Sequence, residues 1–252
     1  MEPTDDFLGR TRLLLGDEAM RRVENCKVII FGVGGVGSWC AESLVRSGVK
    51  HLTIVDSDVV CPTNVNRQIM ATSQTLGQIK VAAMRDRLLA IAPDAQIEAI
   101  REIYSAETAD NFALDKYDYV VDAIDSLKDK ALLILRATAS KATLVSSMGA
   151  ALKMDASQIK VVEFWDAKGC PLARALRKRF KRDGVRPSRK FKCVFSPELL
   201  ENKNPDAAVE NGKSVNGTLM HITAIFGLTI ASEIIRQLYS GPKQTQNINS
   251  AL

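Results

Sequence analysis

The stretch Lys27-Val28-Ile29-Ile30-Phe31-Gly32-Val33-Gly34-Gly35-Val36-Gly37 decides the fold. An apolar run rich in β-branched side chains leads straight into a GxGxxG turn, and a helical pattern over residues 38–47 follows it. That order predicts a strand, a tight turn and a helix start. Of the glycines at 32, 34, 35 and 37, one permits the turn, one lets a phosphate approach the backbone, and one lets helix and strand pack closely. The unpaired N–H groups at the helix start then face an anion. The spacing alone is a weak signal, because glycine turns also serve as plain connections. It gains weight from His51-Leu52-Thr53-Ile54-Val55, a second strand-like run ending in Asp56, nineteen residues beyond Gly37 and placed to accept a ribose hydroxyl.

The same alternation continues outward. Strand-like runs at 27–31, 51–56, 95–101, 117–124 and 143–148 are separated by helical patterns at 38–47, 77–91, 105–114 and 126–140. Near-continuous apolar strands alternating with helices predict an α/β fold, a doubly wound, mostly parallel Rossmann-like sheet that binds its ligand at the carboxyl ends of the strands. The pattern changes after residue 149. A strand is expected over 158–165, a basic helix over 172–182, a loop over 184–190, a final helix over 215–238 and a flexible polar tail over 241–252. The expected organisation is a nucleotide-binding domain over 1–150 with an N-terminal arm, and a smaller α+β extension over 151–240.

Composition narrows the function classes. The 252 residues, 46% hydrophobic and 25% charged, form an ordinary globular chain. The apolar stretch 219–235 is short for a bilayer span and carries His221, Gly227, Ser232 and Glu233, so a buried helix is expected there. The start of the chain is polar and acidic, unlike a secretory leader. Cys26, Cys40, Cys61, Cys170 and Cys193 are odd in number and form no CxxC pair, which argues against a four-cysteine zinc site or a disulfide framework and for reduced thiols in the cytoplasm. Between Arg174 and Lys192, ten basic residues face only Asp183, a net of +9 in a chain of net +5. Such local charge, with Phe180 and Phe191 beside it, suits a phosphate backbone and bases that stack.

A hydride-transferring dehydrogenase would use the same glycine turn, so the residues after Asp56 must decide the chemistry. They are Asp58, Asn64, Asn66, Arg67, Gln68, Lys80 and, at the end of the fourth strand-like run, Asp122-Ala123-Ile124-Asp125. Together they supply a ribose acceptor, cations for a polyphosphate and a carboxylate for a divalent ion. Nucleotidyl transfer needs that positioning and charge neutralisation, whereas a nicotinamide site does not.

In these residues the chain resembles the adenylating enzymes of the ThiF/MoeB/HesA family, relatives of the ubiquitin-activating enzymes. The matching elements are GVGGVG at 32–37, DSD at 56–58, NVNRQ at 64–68, Lys80 and DAIDS at 122–126. The resemblance implies ATP and Mg²⁺ as cofactors. Gly32, Gly34, Gly35, Gly37, Asp56 and Asp58 would form the nucleotide pocket, with Asp56 on the ribose. Asn66 and Arg67 would meet the phosphates, Lys80 the α-phosphate region, and Asp125 the Mg²⁺. The segment around Arg10 and Arg12 resembles the family's N-terminal arm, so Arg12 is expected to reach the ATP site of the other subunit of a homodimer; Arg12, Arg67, Lys80 and Asp125 make up the expected catalytic set.

Family members that activate a ubiquitin-like sulfur carrier often hold zinc in two CxxC pairs, which this chain lacks. The basic segment, Lys192-Cys193-Val194-Phe195-Ser196-Pro197-Glu198 and the closing Gly217-Thr218-Leu219-Met220 resemble instead the branch that dehydrates threonylcarbamoyladenosine in tRNA. That likeness implies adenylation of a threonyl carboxylate followed by ring closure. Arg174, Arg177, Lys178, Arg179, Lys181, Arg182, Arg186, Arg189, Lys190 and Lys192 would then face the tRNA. A carrier-protein activator stays open as the alternative, as does a sulfur-transfer or cysteine-desulfurase-associated partner. Cys170 and Cys193 read as ordinary thiols, because an intramolecular ring closure requires no protein nucleophile.

Overall fold

The computed structural model describes residues 7–204, 209–210 and 213–241. Its centre is a seven-stranded sheet of β1 (Lys27–Phe31), β2 (His51–Val55), β3 (Gln96–Ile100), β4 (Tyr119–Asp122), β5 (Thr143–Ser147), β6 (Lys160–Glu163) and β7 (Lys192–Phe195), in the order β3-β2-β1-β4-β5-β7-β6. All neighbours pair in parallel except β6, which runs antiparallel to β7 at the edge. The expected strands are present within two residues at each end. β7, absent from the sequence reading, joins β5 directly, so residues beyond 150 extend the same sheet.

Side chains alternate between the two faces of each strand. Val28 and Ile30 of β1 enter one core with α2 (Gly37–Arg46), α3 (Lys80–Ile91) and α6 (Met220–Ser240). Ile29 and Phe31 enter the other with α4 (Leu127–Ala139) and α5 (Pro171–Arg182). A buried sheet covered on both faces explains the continuous apolar strands.

Two helical expectations change. Residues 105–114 form only a short 3₁₀ turn at Ala109–Asn111, because hydroxyls compete for the backbone: Thr108 Oγ1 accepts from Ser105 N (3.0 Å) and donates to Ile103 O (2.6 Å). The last helix starts at Met220 rather than 215, since the Asn202 side chain holds Val215 O (3.0 Å) and Gly217 N (2.8 Å) in an extended segment. The N-terminal arm is helical: α1 (Gly9–Asn25) is broken at Gly16, whose φ of +75° is left-handed, and Arg22 anchors it to α6 through Leu238 O (2.6 Å) and Tyr239 O (2.9 Å). The tail expected over 241–252 lies outside the described residues after Gly241.

α6 lies against α2 so closely that Gly227 has no room for a side chain: a Cβ there would meet Val36 O at 2.4 Å and Cys40 N at 2.8 Å. We predict that Gly227→Ala lowers stability by about 2 kcal/mol through overpacking, and also weakens nucleotide binding because the displaced backbone begins at Val36 in the glycine turn. Thermal unfolding with and without ATP checks both effects.

Candidate active site

The strand order reverses between β1 and β4, which opens a crevice at the carboxyl ends of the strands. Four expected elements meet there: the glycine turn after β1, Asp56 after β2, Lys80 at the start of α3 and residues 123–125 after β4. The Asp56 carboxylate binds the turn itself. Its Oδ2 accepts from Val33 N (2.7 Å) and its Oδ1 from Asp58 N (2.9 Å). Each oxygen keeps a lone pair for a further donor such as a hydroxyl.

Asp58 and Lys80 form a two-point contact. Lys80 Nζ lies 2.7 Å from Asp58 Oδ2, and Lys80 N donates to Asp58 O at 3.0 Å. The lysine is buried and the aspartate is exposed, so the ammonium is held at the floor of an open rim. Arg67 lies beside the turn: a Cβ on Gly35 would stand 3.2 Å from Arg67 Cγ and from Thr223 Cβ. Its guanidinium donates to Thr63 O (2.7 Å) and Asn66 Oδ1 (3.0 Å), while the Trp39 indole donates to Arg67 O (3.0 Å). Asn66 in turn donates to Thr218 O at 3.3 Å, just before α6. Asp125 is exposed and makes no hydrogen bond or ion pair with another described residue.

Trp39 and Thr223 escaped the sequence reading, and Thr218 entered it only as part of the 217–220 segment, because their part is to hold Arg67, Asn66 and Gly35 and no local spacing announces that. Asp122 stands in the DAIDS motif, but nothing local pairs it with Lys130, which belongs to the charged run Lys128-Asp129-Lys130 at the start of α4.

Arg12 lies elsewhere in the chain. It lines a hollow with Val49, Lys50, Pro93 and Asp94, which precede β2 and β3, so it stands at the sheet edge opposite the glycine turn. It lies 3.1 Å from Glu24 and 3.4 Å from Asp17.

The ten basic residues do not share one role, and of them Lys190 is exposed in the loop before β7. Arg177 donates to Phe164 O and Ala167 O (both 3.1 Å), Arg189 binds the last carbonyls of α4, including Thr138 O at 2.9 Å and Ser140 O, and Lys192 pairs with the buried Glu233 at 2.5 Å. Burial pushes the Glu233 carboxyl up, but hydrogen bonds from Arg236, Lys192 and Gln237 outweigh it and hold the group below the usual carboxylate range. Arg179 and Arg182 lie 3.4 and 2.8 Å from Asp183, and Arg186 covers the Trp165 ring at 5.2 Å. Arg174, Lys178, Lys181 and Arg182 are exposed at i, i+4, i+7 and i+8 of α5, a single helix face. Phe180 and Phe191 do not stand ready to stack bases; both are buried around Phe164, with Phe191 stacked on it at 4.9 Å. Their apolar rings complete the core under α5, which outweighs any role at the surface.

A family model described as ThiF family matches residues 8–252. The chain belongs to the ThiF family. It is 34% identical over 247 residues to the tRNA threonylcarbamoyladenosine dehydratase of Escherichia coli (strain K12), covering 91% of this chain and 92% of that protein. The Bacillus subtilis (strain 168) protein of the same name is 32% identical over 238 residues, covering 91% and 93%. The crystal structure of the Escherichia coli dehydratase in complex with ATP superposes with a TM-score of 0.83 at 33% identity, over 92% of this chain and 93% of that one, and the complex with AMP matches equally well. This ThiF chain thus shares its α/β fold and nearly its full length with the Escherichia coli dehydratase, whose structures hold ATP and AMP.

Cysteine exposure gives a direct check of the thiol assignments. Cys61 is exposed, whereas Cys26, Cys40, Cys170 and Cys193 are buried, and burial pushes the Cys193 thiol up to about 12. We predict that the native protein takes up one iodoacetamide, at Cys61, and that the other four react only on unfolding; peptide mass mapping reads the sites.

Proposed function

We propose that this ThiF chain is an ATP-dependent tRNA threonylcarbamoyladenosine dehydratase. The observation that carries this reading is the near-full-length likeness to the ATP-bound dehydratase, with Asp56, Arg67 and Lys80 gathered at the crevice of this chain. In the first step a threonyl carboxylate oxygen attacks the α-phosphorus of ATP; a P–O bond forms, the bond to the β-phosphate breaks and pyrophosphate leaves. In the second, a nucleophile within the same side chain attacks the activated carbonyl, the ring closes and AMP departs. The net change is loss of one water from the nucleoside.

The residues divide the work by position. Asp56 retains acceptor capacity for the ribose, the turn at 32–37 offers backbone N–H groups to phosphates, and Arg67 and Lys80 neutralise charge as it shifts toward the leaving group. Lys80 reaches a phosphate by exchanging its contact with Asp58 for it. Asp125 would hold Mg²⁺. Magnesium takes one or two carboxylates together with phosphate oxygens and water, which suits a lone exposed Asp125, and no group of three His, Cys, Asp or Glu among the described residues is arranged as a metal cage. When bound, the ion supplies charge neutralisation at the triphosphate.

The tRNA surface we assign is the exposed face of α5. Leu172 lies against Gly149 and the preceding Gly169 against Pro197, both in loops after the carboxyl ends of β5 and β7, so this positive stripe starts on the same edge as the glycine turn. Arg177, Arg189 and Lys192 hold the extension together instead. Arg12 acts in this reading on a second copy: its place opposite its own glycine turn, together with Leu13 and Leu14 at 82% and 79% exposure on the same helix, supports a homodimer built on α1. No described helix is long and apolar enough to cross a membrane, and the reduced thiols accord with a cytoplasmic enzyme.

Incubation with ATP, Mg²⁺ and tRNA bearing threonylcarbamoyladenosine is expected to release pyrophosphate and to convert the nucleoside to a product lighter by one water, read by nucleoside mass spectrometry. Pyrophosphate release that needs a Gly-Gly-ended carrier protein instead of tRNA would overturn this in favour of carrier activation. Asp125→Ala is expected to cut turnover about 100-fold or more with unchanged thermal stability. Reversing charge at Arg174, Lys178, Lys181 and Arg182 together is expected to weaken tRNA binding about tenfold and flatten its salt dependence, with ATP affinity unchanged in the same preparation.

A further inference from the structure

Beneath the loop that carries Asp125 lies an ion pair with no solvent access: Asp122 on β4 and Lys130 on α4 are both fully buried, with Nζ 2.9 Å from Oδ1. Every strong contact of the pair is accounted for. Lys130 Nζ also donates to Ile124 O (2.9 Å); Asp122 Oδ1 also accepts from Ile124 N (3.2 Å), and Oδ2 accepts from Ser146 Oγ on β5 (2.6 Å). Both polar groups of the Ile124 backbone are therefore held by the pair, one residue before Asp125. On the other side, Ala123 N donates to Phe31 O (2.9 Å), and a Cβ on Gly32 would stand 2.6 Å from Ala123 O. The backbone of residues 123–124 is thus wedged between the buried pair and the first residue of the glycine turn.

Burying two charges costs more desolvation than a packed apolar pair would, so stability alone is a poor reason for placing them here. A salt bridge that grips a backbone amide and its carbonyl does what an apolar pair cannot: it sets the position of a loop. We infer that Asp122 and Lys130 are positioning residues for adenylation, which lock residues 123–125 against the glycine turn so that the Asp125 carboxylate is presented to the bound triphosphate. Neither side chain meets the nucleotide. This rests on the function proposed above for the same crevice.

The test is the double variant Asp122→Asn/Lys130→Met, which removes both charges and leaves neither unpaired in the core. Expected are ATP affinity within about threefold of the parent by equilibrium binding, pyrophosphate release slowed about 10- to 100-fold, the range seen when groups that orient a ligand are removed, and amide hydrogen exchange that speeds up across residues 123–126 more than within α4. A purely structural pair would lower thermal stability and ATP affinity together without this split. Ser146→Ala, which deletes only the hydroxyl donor to Asp122, serves if the double variant does not fold; turnover is then expected to fall several-fold at unchanged ATP affinity. A folded double variant, or failing that Ser146→Ala, that turns over at the parental rate would overturn the inference. A parent protein that releases no pyrophosphate would instead overturn the adenylation reading and leave the loop clamp to be judged by hydrogen exchange alone.

Discussion

The Asp56 carboxylate joins the turn after β1 to the turn after β2, and the geometry of the crevice depends on that junction. A glycine-rich turn is flexible by composition, and its N–H groups attract an anion only if they are held facing one way. Asp56 supplies the restraint by accepting from Val33 N and Asp58 N with different oxygens. The Asp58 backbone carbonyl then receives Lys80 N, so α3 begins where its ammonium can reach the same rim. One carboxylate thereby sets the turn, the acidic partner and the lysine.

On the far side of the crevice the restraint is buried rather than exposed. Residues 123–125 must stay close to Gly32, and they are held by groups from β4, β5 and α4 that never meet solvent. The roof comes from α6, which packs on α2, approaches Gly35 through Thr223 and accepts Asn66 through the residue that precedes it by two, Thr218. The C-terminal segment is thus part of the nucleotide crevice as well as a cover for the sheet. The extension beyond residue 150 likewise adds β7 and β6 to the sheet; Arg177 ties α5 to residues 164–167 within it, and Arg189 and Lys192 attach it to α4 and α6.

Charge density in a sequence and charge at a surface are therefore different quantities here. A run of ten cations in nineteen residues reads as one patch, yet helix periodicity turns only part of it outward. The aromatic residues invert in the same way: Phe180 and Phe191 sit in the core, and the half-exposed ring is Trp165 under Arg186. The helix expected at 105–114 gave way to hydroxyl–backbone bonds, whose geometry depends on the chain returning from β3 to β4.

Local signals were enough for the strand, turn and helix around the glycines, for the alternation that builds the parallel sheet, and for the family to which the chain belongs, because apolar periodicity and short motifs are properties of neighbouring residues. Only the tertiary structure decided that β7 inserts between β5 and β6, that α6 roofs the crevice, that Lys130 reaches back to Asp122, and which cations face outward. Those outcomes depend on contacts between residues far apart in the chain, where burial and hydrogen-bond satisfaction are settled together and no spacing along the sequence records the result.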